Sequence, residues 1–236
     1  MTRPCMMLRH RVVASESYLD NHHELLAGSQ HLDPPWNLVG REKVPDMGSW
    51  SITAVRLTKH LGVRGEAYIL YKYRAERIHD PNPDHGFHDD HMAIELTSKK
   101  INYDYVAREV FPCYARAFQC YYGTIHDMDL EIADNPQLDA PELGPSRWKM
   151  KYSNNTRELI IRINAVNYFD RELCRRSFGL TPEVMVERIS GKVEDARMLG
   201  DGLLLVYTYR FLEVEELKKV DGEVRKMLGI KSVLDE

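Results

Sequence analysis

A three-residue turn near the C-terminus constrains the fold more than any other feature of the sequence. Gly200, Asp201 and Gly202 lie between two strand-like segments, 192–198 and 203–209. Glycine and aspartate tolerate the positive φ angles of tight turns, so this pattern predicts a β-hairpin. Two strands joined by so short a connection are antiparallel neighbours.

Helix signals lie on both sides of this hairpin. Thr181, Pro182 and Glu183 form an N-cap, N1 and N2 sequence, and Gly191 is suited to end the short helix that follows. Apolar residues recur on one stripe of segment 214–228, while lysine and arginine lie on its flanks and favour its C-terminal end. The C-terminal third therefore predicts a hairpin with a helix on each side of it.

The rest of the chain combines strand-like segments with two helical ones. Segment 102–122 spaces its aromatic and apolar residues as a helix does, with Pro112 kinking or dividing it. An earlier helix is predicted around His22, with Gly28 at its end. Strands are predicted at 8–14, 51–57, 66–78, 91–97 and 159–166, and a long loop joins 66–78 to 91–97 as a hairpin.

These elements predict a single α+β domain over residues 1–236, with mostly antiparallel sheet or sheets and hairpins packed against several helices. Strands and helices are grouped along the chain rather than strictly alternating, which disfavours a doubly wound parallel sheet. The acidic, proline-bearing connection at 123–148 leaves an alternative open, in which the domain divides into two lobes near that segment.

The composition is that of a folded protein and disfavours two classes of partner. Hydrophobic residues make up 43% of the 236 residues and charged residues 29%, and the formal net charge is −4. This mild acidity argues against nucleic acid, because binding many phosphates requires a basic surface. No apolar run is long enough to span a bilayer, and arginines interrupt the N-terminal segment. We therefore expect neither a membrane span nor a signal peptide.

No motif for catalysis or for a nucleotide cofactor is found in the sequence. The chain lacks the GxSxG elbow and the glycine-rich GxxxxGK[ST] and GxGxxG patterns. Its four cysteines form no CxxC pair, which fits buried thiols in a reducing compartment. We expect a cytoplasmic protein that has no cofactor and is not an enzyme.

The loop at 79–91 contains the densest cluster of metal-ligand residue types, with four histidines and four aspartates. Imidazole and carboxylate together can hold zinc, iron or manganese, and His85, His88 and His91 are the candidate ligands. However, the prolines and the glycine of the loop remove the rigid helical face on which metalloenzyme motifs place their ligands. A solvated hairpin tip is the favoured interpretation, and a metal-dependent hydrolase is the alternative.

A second polar segment lies between Arg116 and Arg147, an interval that contains no lysine or arginine. A solvated acidic loop with no partner is one interpretation of this interval. The other is an acidic patch that steers a basic partner through its long-range field. Tryptophan is enriched at binding hot spots, and one lies directly after this interval. The candidate partner-binding residues are Asp127, Asp129, Glu131, Asp134, Asp139, Glu142 and Trp148.

Segment 164–208, NAVNYFDRELCRRSFGLTPEVMVERISGKVEDARMLGDGLLLVYT, resembles the small α+β immunity proteins that bacteria encode beside polymorphic or type VI secreted toxins. The resemblance implies a protein that binds a cognate toxin and blocks its active site without catalytic residues of its own. Because no export signal is expected, it also implies a toxin that acts in the cytoplasm, such as a nuclease. An adaptor or chaperone that binds a secreted effector is the other protein-binding alternative.

Overall fold

The structure, a computed structural model, describes residues 4–13, 15–40, 52–57, 65–71, 89–96, 101–130, 160 and 162–231. The strands are β1 (Pro4–His10), β2 (Ile52–Leu57), β3 (Gly65–Leu70), β4 (Asp90–Glu95), β5 (Tyr122–Asp127), β6 (Val166–Phe169), β7 (Asp195–Leu199) and β8 (Gly202–Val206). The helices are α1 (Tyr18–Ser29), α2 (Tyr103–Tyr105), a π-helical segment π1 (Val106–Val110), α3 (Phe111–Ala117), α4 (Arg171–Phe178), α5 (Pro182–Ile189) and α6 (Val214–Leu228). In the part of the chain so described, no helix is both long enough and apolar enough to cross a bilayer.

The strands of the described residues form one eight-stranded sheet in the order β2-β3-β4-β1-β5-β6-β8-β7. Every pair of neighbours is antiparallel, which confirms the predicted α+β class. Strand β1 lies near the middle, where Met6 is opposite Ile94 of β4 and Ile125 of β5. It begins and ends four residues before the predicted strand at 8–14. The predicted hairpin pairings of β3 with β4 and of β7 with β8 are confirmed.

Helices cover both faces of the sheet, which separates two hydrophobic cores. Strand β8 contributes side chains to each core. Leu204 and Val206 belong to a core that also contains side chains of α1 and α3. Leu203 and Leu205, which alternate with them, belong to a second core with α4, α5 and α6. Because successive side chains of a strand point to opposite faces, all five residues of β8 are buried.

The local signals of the C-terminal third are confirmed. Thr181 caps α5, because its hydroxyl accepts a hydrogen bond from the Val184 N–H at 3.5 Å. Helix α6 covers the predicted segment 214–228. Gly200 adopts a φ of +62° in the turn between β7 and β8, a conformation that glycine reaches without strain. Asp170 caps α4, a helix that the sequence pattern did not reveal.

The helix predicted at 102–122 is shorter than expected and changes its winding at Pro112. Helices α2, π1 and α3 follow one another directly and end at Ala117. At the junction, the Phe111 N–H donates to the Val106 carbonyl oxygen, which is the i to i+5 bond of a π-helix. Pro112 lies in the first turn of α3 and has no N–H, so it donates no hydrogen bond to the preceding turn. The predicted division at Pro112 is confirmed.

The strand predicted at 159–166 is wrong for the described residues 160 and 162–165, because β6 begins at Val166. Ile160 and Ile163 are buried as strand residues would be, but their N–H groups donate to side chains instead. The Ile163 N–H donates to Asp221 Oδ1 at 2.7 Å, and Asp221 belongs to helix α6. A buried backbone N–H needs only one acceptor, so a carboxylate from α6 takes the place of a neighbouring strand.

The segment at 123–148 begins as a strand and not as a connection. Its first residues belong to β5, which lies between β1 and β6. Thr124 and Ile125 are buried there, so the expectation of a solvated connection is wrong for 123–127. Residues 131–148 lie outside the described residues, and the division into two lobes stays a prediction.

Candidate functional site

A groove of about 440 Å³ lies between the end of α1, the helix formed by π1 and α3, and strand β7. Four of its lining residues have basic side chains, and all four are exposed: His31, Arg108, Arg116 and Arg197. The carboxylate of Glu109 also lines it. We call this feature the arginine groove.

The π-helical segment places two of these arginines on the same side of the helix. In an α-helix, residues seven apart share a face, whereas residues eight apart diverge by about 80°. A π turn accommodates one additional residue. Arg108 lies in π1 and Arg116, eight residues later, lies in α3, so the π turn brings the two side chains to the same groove.

A chain of contacts holds Arg108 and Arg197 in place across the groove. Asp104 Oδ1 accepts a hydrogen bond from Arg108 Nε at 2.8 Å. The Arg108 guanidinium lies 3.4 Å from the centroid of the Tyr209 ring. The Tyr209 hydroxyl donates to Asp195 Oδ2 at 3.1 Å, and the same oxygen lies 3.0 Å from Arg197 Nε.

This arrangement prepares the groove to bind an anion. Asp104 contacts Arg108 at Nε, and Asp195 contacts Arg197 at Nε. The terminal Nη groups of the two arginines make no hydrogen bond to any residue that the structure describes. Burial, together with the nearby Asp195 carboxylate, raises the pKa of Tyr209 to about 12, so the hydroxyl keeps its proton at neutral pH. Arg116 has no ion pair with the described residues. Preorganised guanidinium groups bind carboxylates through paired hydrogen bonds.

A second cavity of about 330 Å³ adjoins the groove, and Arg116 lines both. Arg11 lies on its wall, 4.4 Å from the centroid of the Tyr121 ring. The Arg11 guanidinium donates to the carboxylate of Asp170 and lies 3.4 Å from Glu172. Burial raises the pKa of Asp170, and Arg11 opposes that effect. Because these charges are already paired, the cavity is less cationic than the groove.

The structure places two of the predicted partner-binding residues, and one of them is buried. Asp127 is 2% exposed, and its Oδ1 accepts hydrogen bonds from the N–H groups of Asp129 and Leu130 at 3.0 and 3.1 Å. Its carboxylate therefore caps the turn after β5 and does not belong to an acidic surface, which corrects the prediction. Asp129 is exposed, as predicted. The other candidates lie outside the described residues: Glu131, Asp134, Asp139, Glu142 and Trp148.

The histidine and aspartate loop is described only at its end. His91 lies in β4 and is half-buried, while His85 and His88 lie outside the described residues. Asp89 and Asp90 are buried, and Asp89 Oδ2 accepts a hydrogen bond from the Tyr121 hydroxyl at 2.6 Å. Residues 79–88, which include the tip of the predicted hairpin, lie outside the described residues, so the solvated tip stays a prediction. No group of three or more metal-ligating side chains occurs among the residues with described positions.

The cysteines are free thiols, as predicted. Burial raises the pKa of Cys113 to about 11 and that of Cys174 to about 12, so both thiols keep their protons at neutral pH. Cys5 and Cys120 are buried. Since the thiolate is the reactive form, the raised pKa values make Cys113 and Cys174 poor nucleophiles.

The arginine groove was missed by sequence reasoning because its parts are far apart in the chain. Arg108 and Arg116 lie in the predicted helix, but Arg197 and Tyr209 lie about ninety residues later, in the region of the predicted hairpin. The one available signal was the eight-residue spacing of Arg108 and Arg116 across Pro112. Its meaning depends on a π turn that the pattern does not reveal.

Comparison with known proteins relates the chain to a solved fold. No family model and no curated protein matches the sequence. The structure is similar to that of the Pseudomonas aeruginosa T6SS protein PA0821, with a TM-score of 0.54 over 96% of this chain and 72% of that chain. The sequence identity is 12%, so the similarity shows a shared fold alone.

Proposed function

We propose that this protein is an immunity protein that binds and neutralises a cognate toxin of a type VI secretion system. The observation that carries the proposal is the likeness of fold, over 96% of the chain, to a T6SS protein. The resemblance of segment 164–208 to immunity proteins supports it independently. Immunity acts by occlusion, so the proposed role needs no catalytic residue, cofactor or metal in this chain.

The structure supplies a surface suited to such binding. Segment 164–208 contains β6, α4, α5, β7 and β8, and its Arg197 lines the arginine groove. Arginine is enriched among the residues that dominate binding energy at protein interfaces. A groove whose arginines are held before a partner arrives loses less side-chain entropy on binding, which favours tight association.

Purification of the tagged full-length chain from its native lysate, followed by mass spectrometry, tests the proposal. We expect a toxin to be recovered at near-equal stoichiometry, and we expect its activity to fall when the chain is added back. The proposed toxin acts in the cytoplasm, as a nuclease does, so co-expression should restore the growth of cells that produce it there.

Two results would contradict immunity. Recovery of an effector that stays fully active when bound would indicate the adaptor or chaperone alternative. Recovery of the bait alone, together with a stoichiometric transition metal, would favour the metal-dependent hydrolase. Metal analysis of the full-length protein therefore accompanies the purification.

A further inference from the structure

We propose that the arginine groove binds an acidic, extended segment of a partner protein, whose carboxylates pair with Arg108, Arg116 and Arg197. This proposal rests on the proposed function only in identifying the partner protein as the toxin. Binding of an acidic segment is a property of the groove and is measurable without the toxin.

The residues that line the groove carry a net charge opposite in sign to that of the whole chain. The protein carries a formal net charge of −4, yet the groove is lined by three arginines and a histidine against one carboxylate, Glu109. Arg108 and Arg197 are neutralised in part by Asp104 and Asp195, which contact them at Nε. The terminal nitrogens remain in position to donate paired hydrogen bonds to incoming carboxylates.

The shape of the groove favours an extended chain over a compact anion. The arginines lie on two separate elements, the helix of π1 and α3 on one side and strand β7 on the other. Between them, small apolar residues line the groove: Ala27, Gly28, Pro112 and Ala117. Small side chains permit the close approach of a backbone, and spaced guanidiniums match carboxylates spaced along a segment.

Strand β7 adds a second reason to expect an extended partner. It lies at one end of the sheet order formed by the described residues, and its Arg197 and Met198 are exposed. Partners often add an extended segment alongside an edge strand. An acidic segment that follows β7 would therefore bring its side chains over Arg197 and towards Arg116.

A labelled peptide tests the inference directly. The full-length protein is titrated into a fluorescein-labelled poly-glutamate peptide of about ten residues, and anisotropy is recorded at about 50 mM and about 300 mM NaCl. A poly-lysine peptide of the same length is the negative control. We expect the poly-glutamate peptide alone to bind, and we expect its affinity to fall at the higher salt concentration.

Two double variants locate the binding. In R116E/R197E both reversed charges lie in the groove, whereas in R175E/K219E both lie on α4 and α6, which cover the other face of the sheet. All four side chains are exposed, and the two variants change the net charge equally. We expect R116E/R197E to weaken peptide binding by about tenfold or more and R175E/K219E to change it by less than about twofold. Thermal unfolding of both variants establishes that each remains folded.

Several outcomes would overturn the inference. Equal weakening by the two variants would mean that only net charge matters. No binding of the poly-glutamate peptide, or competition by an oligonucleotide that binds more tightly at the same residues, would also exclude an acidic protein segment.

The same variants separate this inference from the proposed function. If R116E/R197E still neutralises the toxin as well as the unaltered chain does, immunity stands and the groove is not its binding surface. If the peptide depends on the groove but no toxin is recovered, the groove stands and immunity fails.

Discussion

Removal of the Asp221 carboxylate should be among the most destabilising single substitutions in the protein. Asp221 and Arg225 lie one turn apart on α6 and are almost fully buried, with side-chain exposures of 2% and 3%. Arg225 Nε donates to Asp221 Oδ1 at 2.8 Å, and its Nη2 donates to the Ile160 carbonyl oxygen at 2.7 Å. Asp221 Oδ1 also accepts the Ile163 N–H. One carboxylate therefore compensates a buried cation and a buried backbone donor.

The size of the effect follows from these contacts. Breaking a buried ion pair by removing one partner costs about 3–5 kcal/mol, because the other charge is left without compensation. Leaving the Ile163 N–H without its acceptor adds about 1–3 kcal/mol. Domains are stable by only about 5–15 kcal/mol in total. We therefore expect the D221A substitution to remove a large share of the free energy of unfolding.

Urea unfolding followed by tryptophan fluorescence measures the effect. With a slope of about 2–3 kcal/mol per molar urea, a loss at the lower limit of these costs, about 4 kcal/mol, lowers the midpoint by about 1.3–2 M. The matched control is E215A, which breaks the exposed pair of Glu215 with Lys218 on the same helix. Exposed pairs contribute about 0–1 kcal/mol, so the control should stay close to the unaltered protein.

A double variant distinguishes the charge effect from simple loss of packing. D221L/R225M removes both buried charges and keeps apolar volume on α6, so it should be more stable than D221A. If D221A is no less stable than E215A, or if the double variant is less stable than D221A, the buried pair does not have the role inferred from its contacts.

The remaining predictions concern the second cavity and two glycines, Gly28 of α1 and Gly222 of α6. Burial raises the pKa of the Asp170 carboxyl and Arg11 opposes the rise, so R11Q should raise that pKa further. Since the ionised form is then the disfavoured one in the fold, R11Q should destabilise more at about pH 7 than at about pH 4 in urea unfolding, and a pH-independent effect would refute this. A Cβ at Gly28 would lie 2.4 Å from a side chain of α3, so G28A should destabilise by about 1–3 kcal/mol. Gly222 of α6 is exposed, and a Cβ there has no neighbour within 4 Å. We therefore expect G222A to stabilise the protein by about 0.5–1 kcal/mol. Thermal unfolding that finds G28A more stable than G222A would contradict both expectations.

The parts of the fold that were predicted correctly are those fixed by neighbouring residues. The turn at Gly200 and the cap at Thr181 depend on the conformational preferences of a few adjacent positions, and the structure places both as expected. Helix α6 carries its own apolar stripe and coincides with the predicted segment 214–228. In each case the cause of the structure lies within the segment itself.

The segments that were predicted wrongly depend on partners far along the chain. An apolar run such as 159–166 is compatible with a strand, but its conformation is decided by what satisfies its backbone. The acceptor for the Ile163 N–H comes from Asp221, 58 residues later. Strand β5 was missed because its own sequence has a weak strand pattern. Its conformation is stabilised by pairing with β1, which lies more than a hundred residues earlier in the chain.

The same reasoning applies to the candidate site. A count of charges detected the acidic interval after Arg116, but not that Asp127 uses its carboxylate to cap a turn. Conversely, the chain is acidic overall, and a basic groove arises only because the sheet order places β7 near the helix that carries Arg108. Net charge therefore predicts long-range attraction, whereas the sign of a binding surface is decided by tertiary contacts.

The acidic patch predicted after Arg116 and the arginine groove would be compatible with a single partner. Asp129 is exposed after β5, and the groove lies at β7, three places further along the sheet order. Surfaces of opposite sign at separate positions fix the orientation of a partner more strictly than one charged patch does, because a rotated partner meets like charges. For a toxin with a basic surface and an acidic segment, reversal of Asp129 should then slow association, while reversal of Arg116 and Arg197 should speed dissociation.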